Sequence, residues 1–211
     1  MPLDPEFAAE IAQQLYGLRA IAKPLPGELD DNFKLEDSDG NHFILKIAHP
    51  DADVKYLAFQ NDLLLHLDGK GLNTQVQAVV PTIEGTFIGT ATDPEGRSRY
   101  VRLLTWVPGS LWAGLKYRSE ELLFSLGAAC GSLCAVLEGF DHPGAHRQLK
   151  WDLLQAEWTA PHLDAIEEEE VREQATAFLA AFRRQVLPQL PSLRKSVIHN
   201  DANDYNVLVD G

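Results

Sequence analysis

Three side chains near the C-terminal end of the chain, His199, Asp201 and Asn206, have types and spacing suited to chemistry on a phosphate. They lie in the stretch Val-Ile-His-Asn-Asp-Ala-Asn-Asp-Tyr-Asn-Val-Leu-Val-Asp-Gly at 197–211. It reads as an apolar pair, a polar loop, an apolar triplet and a turn. An aspartate can accept or orient the proton of an attacking hydroxyl, and an asparagine five residues later can offer an amide oxygen to Mg²⁺ beside nucleotide phosphates. Apolar strands on either side would hold both side chains on a rigid frame. Each residue also has a plainer use: Asp and Asn bond to their own backbone in turns, and His199 suits a structural role. A fourth residue, Lys46, shifts the balance toward chemistry. It interrupts the apolar run Phe-Ile-Leu-Lys-Ile-Ala at 43–48. Strand alternation puts Phe43, Leu45 and Ile47 on one face and Ile44, Lys46 and Ala48 on the other. Such a lysine can sit on an edge strand, or bury its stem while its ammonium reaches water.

The string from His199 to Asn206 resembles the H-x-D-x-x-x-x-N catalytic loop of the aminoglycoside phosphotransferase and choline kinase families. The fuller string HNDANDYNVLVDG resembles more closely the hydroxylysine-kinase-like subgroup and the phosphotransferase-like domains fused to class III aminotransferases. Protein kinases have a similar loop with Arg after the His; Asn200 in that place sets this chain on the small-molecule side. The resemblance implies an α+β, protein-kinase-like fold of two lobes. Residues 1–106 would form a nucleotide-binding lobe with an antiparallel sheet, 107–109 a hinge, and 110–211 a mostly helical lobe ending just after the loop.

The resemblance also implies roles. Asp201 would be the base or hydroxyl-orienting residue, His199 would brace the loop, and Asn206 would bind Mg²⁺. Lys46 would hold the phosphates of ATP or GTP, under a loop that opens at Gly27. That loop has a single glycine, and Asp30 and Asp31 in it would repel phosphate unless they point away. Leu104, Trp106 and Val107 would hold the adenine at the hinge. Many family members carry a Glu on the next helix that pairs with the lysine. Gln60 stands there instead, able to bond the ammonium but not to neutralise it, with Asp62 as a substitute or no ion pair at all. The acceptor would be a hydroxyl of a small molecule, of amino-alcohol type. A further metal-binding Asp is expected beyond Gly211, so the chain reads as a truncated piece or one domain of a longer, fused protein, weakly active or inactive alone. Two other readings stand beside this one. The chain could be a catalytically inactive module that binds nucleotide or a partner, or a mixed α/β domain with an incidental H-x-D that binds no nucleotide.

Composition narrows the classes. The 211 residues suit one large domain or two small lobes, and 45% apolar residues support a real core. A net charge of −13 without a basic cluster argues against nucleic acid and is compatible with a cationic substrate. Cys130 and Cys134 lie four apart in a helical pattern, which suits core packing rather than a disulfide or metal site. No signal peptide opens the chain and no apolar run reaches membrane-spanning length, so cytoplasm and no membrane are expected.

The elements that must position these residues follow from pattern. Asp4-Pro5 opens a helix that Gly17 can close. Residues 19–25, 33–36 and 43–48 read as strands, the last two joined by the turn at 37–41. A helix is expected over 53–67 and a strand over 74–80. Residues 85–90 and 99–106 read as a hairpin about Asp93-Pro-Glu-Gly96. Ser119 starts a helix whose stripe is Leu122, Leu126, Cys130, Leu133 and Leu137. A short helix is expected over 151–158. The longest is expected over 166–186, burying Val171, Ala175, Phe178, Leu179, Phe182 and Val186.

Overall fold

A computed structural model describes residues 3–210. Helix α1 (Pro5–Tyr16) starts where Asp4 accepts a bond from the Glu6 N–H at 2.7 Å. It stops where Gly17 takes φ 65, a left-handed turn that glycine adopts without steric cost. Strands β1 (Ala20–Leu25), β2 (Asp31–Asp37) and β3 (His42–Ile47) follow as an antiparallel meander. The β2–β3 turn is set by Asp37, whose carboxylate accepts the N–H groups of Asp39 and Asn41 at 2.9 and 2.8 Å. Helix α2 (Val54–Leu67) is capped by Asp53. Strands β4 (Val79–Val80), β5 (Gly89–Thr92) and β6 (Ser98–Thr105) complete an antiparallel sheet ordered β1-β2-β3-β6-β4, with β5 also on β6. The expected strand over 74–80 shrinks to two residues. β5 takes the Ser98–Val101 part of that β6 edge, which leaves Arg102–Thr105, and β4 pairs there with Leu103 and Leu104.

The sheet has one apolar face. Phe33, Leu35, Leu45, Ile47, Val101 and Leu103 point to it and pack with Ala8, Ile11 and Ala12 of α1 as the core. Alternation sends Lys46 and Arg102 to the opposite face, where α2 meets the sheet through Asn61. The sheet is locked at one end by an ionic knot. Arg99 is buried and bonds Asp31 at 2.7 Å, Asp93 at 3.2 Å and the Ala48 carbonyl. Burial opposes ionisation of Asp93. The bonds from the Arg97 backbone and from both guanidinium groups outweigh it and hold the carboxyl down at about 2.

Strand β7 (Ser110–Leu111) pairs with β8 (Leu208–Val209), so the last residues return to the segment just after β6. Helix α3 (Glu120–Val136) starts at Ser119, whose hydroxyl accepts from the Leu122 N–H at 3.2 Å. It is the longest helix described, and no residue within it is buried; Leu137 just after it is. The expected buried stripe is therefore only half covered, Phe124 is 79% exposed, and Cys134 faces solvent rather than a core.

Residues 146–195 form a compact unit apart from that of 3–145 with 196–210. In it the expected short helix over 151–158 is a run of 3-10 turns from Leu153 to Ala165, broken at Gln155. Helix α4 (Glu169–Ala181) continues through a π turn over Phe182–Val186. It is shorter than α3, and of its expected buried face only Leu179 is buried; Phe178 is 75% exposed. Apolar periodicity marks a face that can be covered, and here little within the unit covers it. Among the described residues no helix is long and apolar enough to cross a membrane.

Candidate active site

The polar loop between Val197 and Val207 is built around Asp201. Its Oδ1 accepts the Asn203 amide at 2.7 Å and its Oδ2 the Asn206 amide at 2.8 Å. The same Asn206 nitrogen also bonds the Asp201 carbonyl at 2.9 Å. This engages the amide nitrogen of Asn206, an exposed residue, rather than its amide oxygen. The Asp201 N–H donates to His199 Nδ1 at 3.3 Å, which places the imidazole proton on Nε2. Asn200 sits at φ 61, and the left-handed backbone there lets the chain reverse between His199 and Asp201; Asn tolerates that region better than most residues.

The far side of the loop is fastened to the segment after β6. Arg118 bonds the Asp204 carboxylate at 3.0 Å, the Ala113 N–H bonds the Asp204 carbonyl at 2.9 Å, and the Trp112 N–H bonds Val207 O at 2.9 Å. Gly109 permits the β7–β8 approach: it has φ 135, and a Cβ there would lie 3.1 Å from the Val209 oxygen. The Asp201 carboxylate is thus held by neighbours on both sides yet remains exposed to incoming solutes.

The second cluster lies on the sheet. Lys46 stands opposite Asn32 on β2 and opposite Arg102 on β6. Burial pushes the Lys46 ammonium below its ordinary pKa and the Arg102 charge pushes it further, while Asp30 pulls it back. Burial likewise lowers Arg102, against the pull of Asp30. Asp31 points away to Arg99, whereas Asp30 lies within electrostatic reach of both cations.

On α2, Gln60 is half-buried, and Asp62 is engaged with His142 at 3.2 Å rather than with Lys46. On α2, Asn61 reaches Arg102, its Oδ1 accepting from the guanidinium at 3.3 Å, and Tyr56 acts on the same cation. The pattern that singled out Lys46 also marks Arg102. It interrupts the apolar run Val-Arg-Leu-Leu at 101–104, a signal that sequence reasoning passed over.

The loop from Gly27 folds tightly. A Cβ on Gly27 would collide with the Asp30 carbonyl and the Asn32 amide, so only glycine fits. At the end of β6, Leu104 is buried beside Ile44 and Val79. The N–H groups of Thr105 and Trp106 are taken by the Ala78 and His42 carbonyls. Trp106 carries the Lys34 ammonium 4.4 Å above its ring. Lys46, Gln60, Leu104, Trp106, Val107 and the Asp201 loop all belong to one compact unit. Among the described residues there is no cluster of three or more His, Cys, Asp or Glu side chains fit for a metal. The residue of the loop that could offer an oxygen to a divalent cation is Asn206, through its amide.

Residues 21–211 match the family model described as the phosphotransferase enzyme family. The chain is 28% identical over 210 residues to a hydroxylysine kinase of Danio rerio, covering 95% of this chain and 58% of that protein. It is 29% identical over 225 residues to the Xenopus laevis hydroxylysine kinase, covering 99% and 59%. It thus spans about three-fifths of the length of the curated relatives it matches. Among solved structures it resembles a microcompartment-associated aminopropanol kinase, with a TM-score of 0.68 at 20% identity, covering 99% of this chain and 65% of that one. It also resembles an amicoumacin kinase in complex with AMP-PNP, Ca²⁺ and Ami, with a TM-score of 0.59 at 19% identity over 92% of this chain and 55% of that one. The α+β, kinase-like fold expected from the sequence is the fold of these proteins.

Proposed function

Because the chain belongs to the phosphotransferase enzyme family, we propose that it carries the nucleotide-binding and phosphoryl-transfer elements of a kinase for a small hydroxyl-bearing molecule. The observation that carries this reading is the Asp201–Asn206 pair: an exposed carboxylate held by two amides, one of them from the exposed Asn206. In this arrangement Asp201 orients the acceptor hydroxyl and takes up its proton as the oxygen attacks the γ-phosphorus of ATP or GTP. His199, bonded to the Asp201 backbone, keeps the loop in shape. Lys46 draws the phosphates to the sheet. Leu104 and Trp106 flank the base, and the carbonyl groups at 105–107 with the Val107 N–H are the base-recognition groups the strand leaves over. Gly27 lets its loop fold closely over the phosphates. Asn206 would hold Mg²⁺, which would supply charge neutralisation at the phosphates.

The acceptor we infer is an amino alcohol, in keeping with the named relatives and a net charge of −13 that attracts cations. The lobes meet at 107–109. It works in the cytoplasm. A second reading, a nucleotide-binding regulatory module without turnover, draws on the lack of an acid at Lys46 and of a carboxylate cluster for metal among the described residues.

The test is thermal unfolding with ATP or GTP, each with and without Mg²⁺, on wild type and Lys46→Ala. A ligand that binds only the folded state at about 100 times its Kd adds about 2.7 kcal/mol. A nucleotide-dependent rise that the variant loses is expected; no rise with either nucleotide would overturn both readings.

A further inference from the structure

Two buried arginines on β6 are treated differently. Arg99 is 3% exposed and is matched by two carboxylates, Asp31 and Asp93. Arg102 is equally buried, and its guanidinium bonds the neutral Oδ1 of Asn61, itself 2% exposed and tied by its Nδ2 to Phe87 O at 3.0 Å. Directly across the ladder stands Lys46, so two cations project from paired positions on the same face of the sheet. Among the described residues neither has a carboxylate at ion-pair distance; Asp30 acts on both across space, and Tyr56 and Tyr16 act on Arg102. A buried charge is costly unless matched, and two like charges side by side cost more.

We propose that Arg102, held in place by Asn61, is a second cation of the polyphosphate site, and that with Lys46 it forms a two-cation seat for a nucleoside triphosphate. The proposal rests on the nucleotide-dependent reading above and extends it to a residue outside the loop and lysine motifs. Asn61 suits this role because it fixes the guanidinium without neutralising it. Asp30 is then the internal counter-charge that a bound polyphosphate replaces.

The test is calorimetric titration of the chain with inorganic tripolyphosphate, ATP, GTP and the free nucleosides. Variants are Arg102→Met, Asn61→Asp, Asp30→Asn and, for reference, Lys46→Ala. Losing a charge-assisted contact should weaken tripolyphosphate and triphosphate binding by about 10-fold or more in Arg102→Met, with nucleoside binding unchanged. Asn61→Asp places a carboxylate against Arg102; it should keep or raise the stability of the free chain and weaken polyphosphate binding similarly. It decides the matter if Arg102→Met fails to fold. Asp30→Asn should tighten binding. Wild-type polyphosphate affinity in Arg102→Met and Asn61→Asp, with Lys46→Ala losing it, overturns the inference and leaves the phosphotransferase reading standing. Equal losses for nucleosides and polyphosphates would mark Arg102 as a packing residue and also overturn it. No polyphosphate binding by wild type would overturn both.

Discussion

Asp201 owes its geometry to its neighbours' amides more than to its own burial. In Asp201→Asn a third amide would face those of Asn203 and Asn206, and the proposed proton acceptor would be gone. In a chain competent for transfer, the measured kcat should fall by about 10²- to 10⁴-fold, the range of a general base, while nucleotide affinity stays near wild type. A matching loss of affinity would reassign Asp201 to binding. Asp93 offers a separate prediction at this scale. Its carboxyl is lowered from an ordinary 3.8 to about 2 in the folded state. A depressed acid contributes stability that is present above its unfolded pKa and is lost as pH falls through the folded one. Between about pH 4 and 2 the urea midpoint of wild type should therefore drop more steeply than that of Asp93→Asn. Parallel curves would show that the Arg97–Asp93–Arg99 knot is not coupled to folding.

At the scale of elements, strand β3 has two jobs, and its alternation separates them. Leu45 and Ile47 are fully buried in the core with α1, while Lys46 faces the other way. Leu45→Ala should cost about 2–5 kcal/mol in denaturant unfolding, whereas Lys46→Ala should cost little and act on binding. The start of α3 is set by Ser119. Ser119→Ala removes the acceptor for the Leu122 N–H and should cost about 1 kcal/mol; an unchanged midpoint would show the first turn frays in any case. The ends of α1, the Asp37–Asn41 turn and the starts of α2 and α3 were all readable from capping and turn residues. These rest on contacts within a few positions along the chain. The strand over 74–80 was misread because its β-branched residues state a preference, while pairing depends on which part of the β6 edge is open.

For the whole molecule, the contrast is between a packed sheet and helices with open apolar faces. Phe124 on α3 and Phe178 on α4 are each more than three-quarters exposed or at that mark, at 79% and 75%. Contiguous exposed apolar surface signals a face meant to be covered. The chain accordingly should bind a hydrophobic dye in its native state. Replacing both residues, Phe124→Gln and Phe178→Gln, should reduce dye fluorescence and change the unfolding midpoint by no more than about 0.5 kcal/mol. A large loss of stability would mean that these side chains are buried in solution.

By itself, the sequence determined the local grammar of this protein: where α1, α2 and α3 start, which turn closes the β2–β3 hairpin, which strand face carries Lys46, and the Asp201–Asn206 spacing within the polar loop. Periodicity, capping and spacing are properties of short stretches, so they survive without knowledge of the fold. Only the tertiary structure decided which charges meet. It set Arg102 across from Lys46, chose Asn61 over Gln60 as the α2 contact, sent Asp31 to Arg99 and Asp62 to His142, and left the α3 and α4 stripes open. Those outcomes depend on register between distant strands and on the one-residue rotation of a helix against a sheet, and neither is written in any single segment.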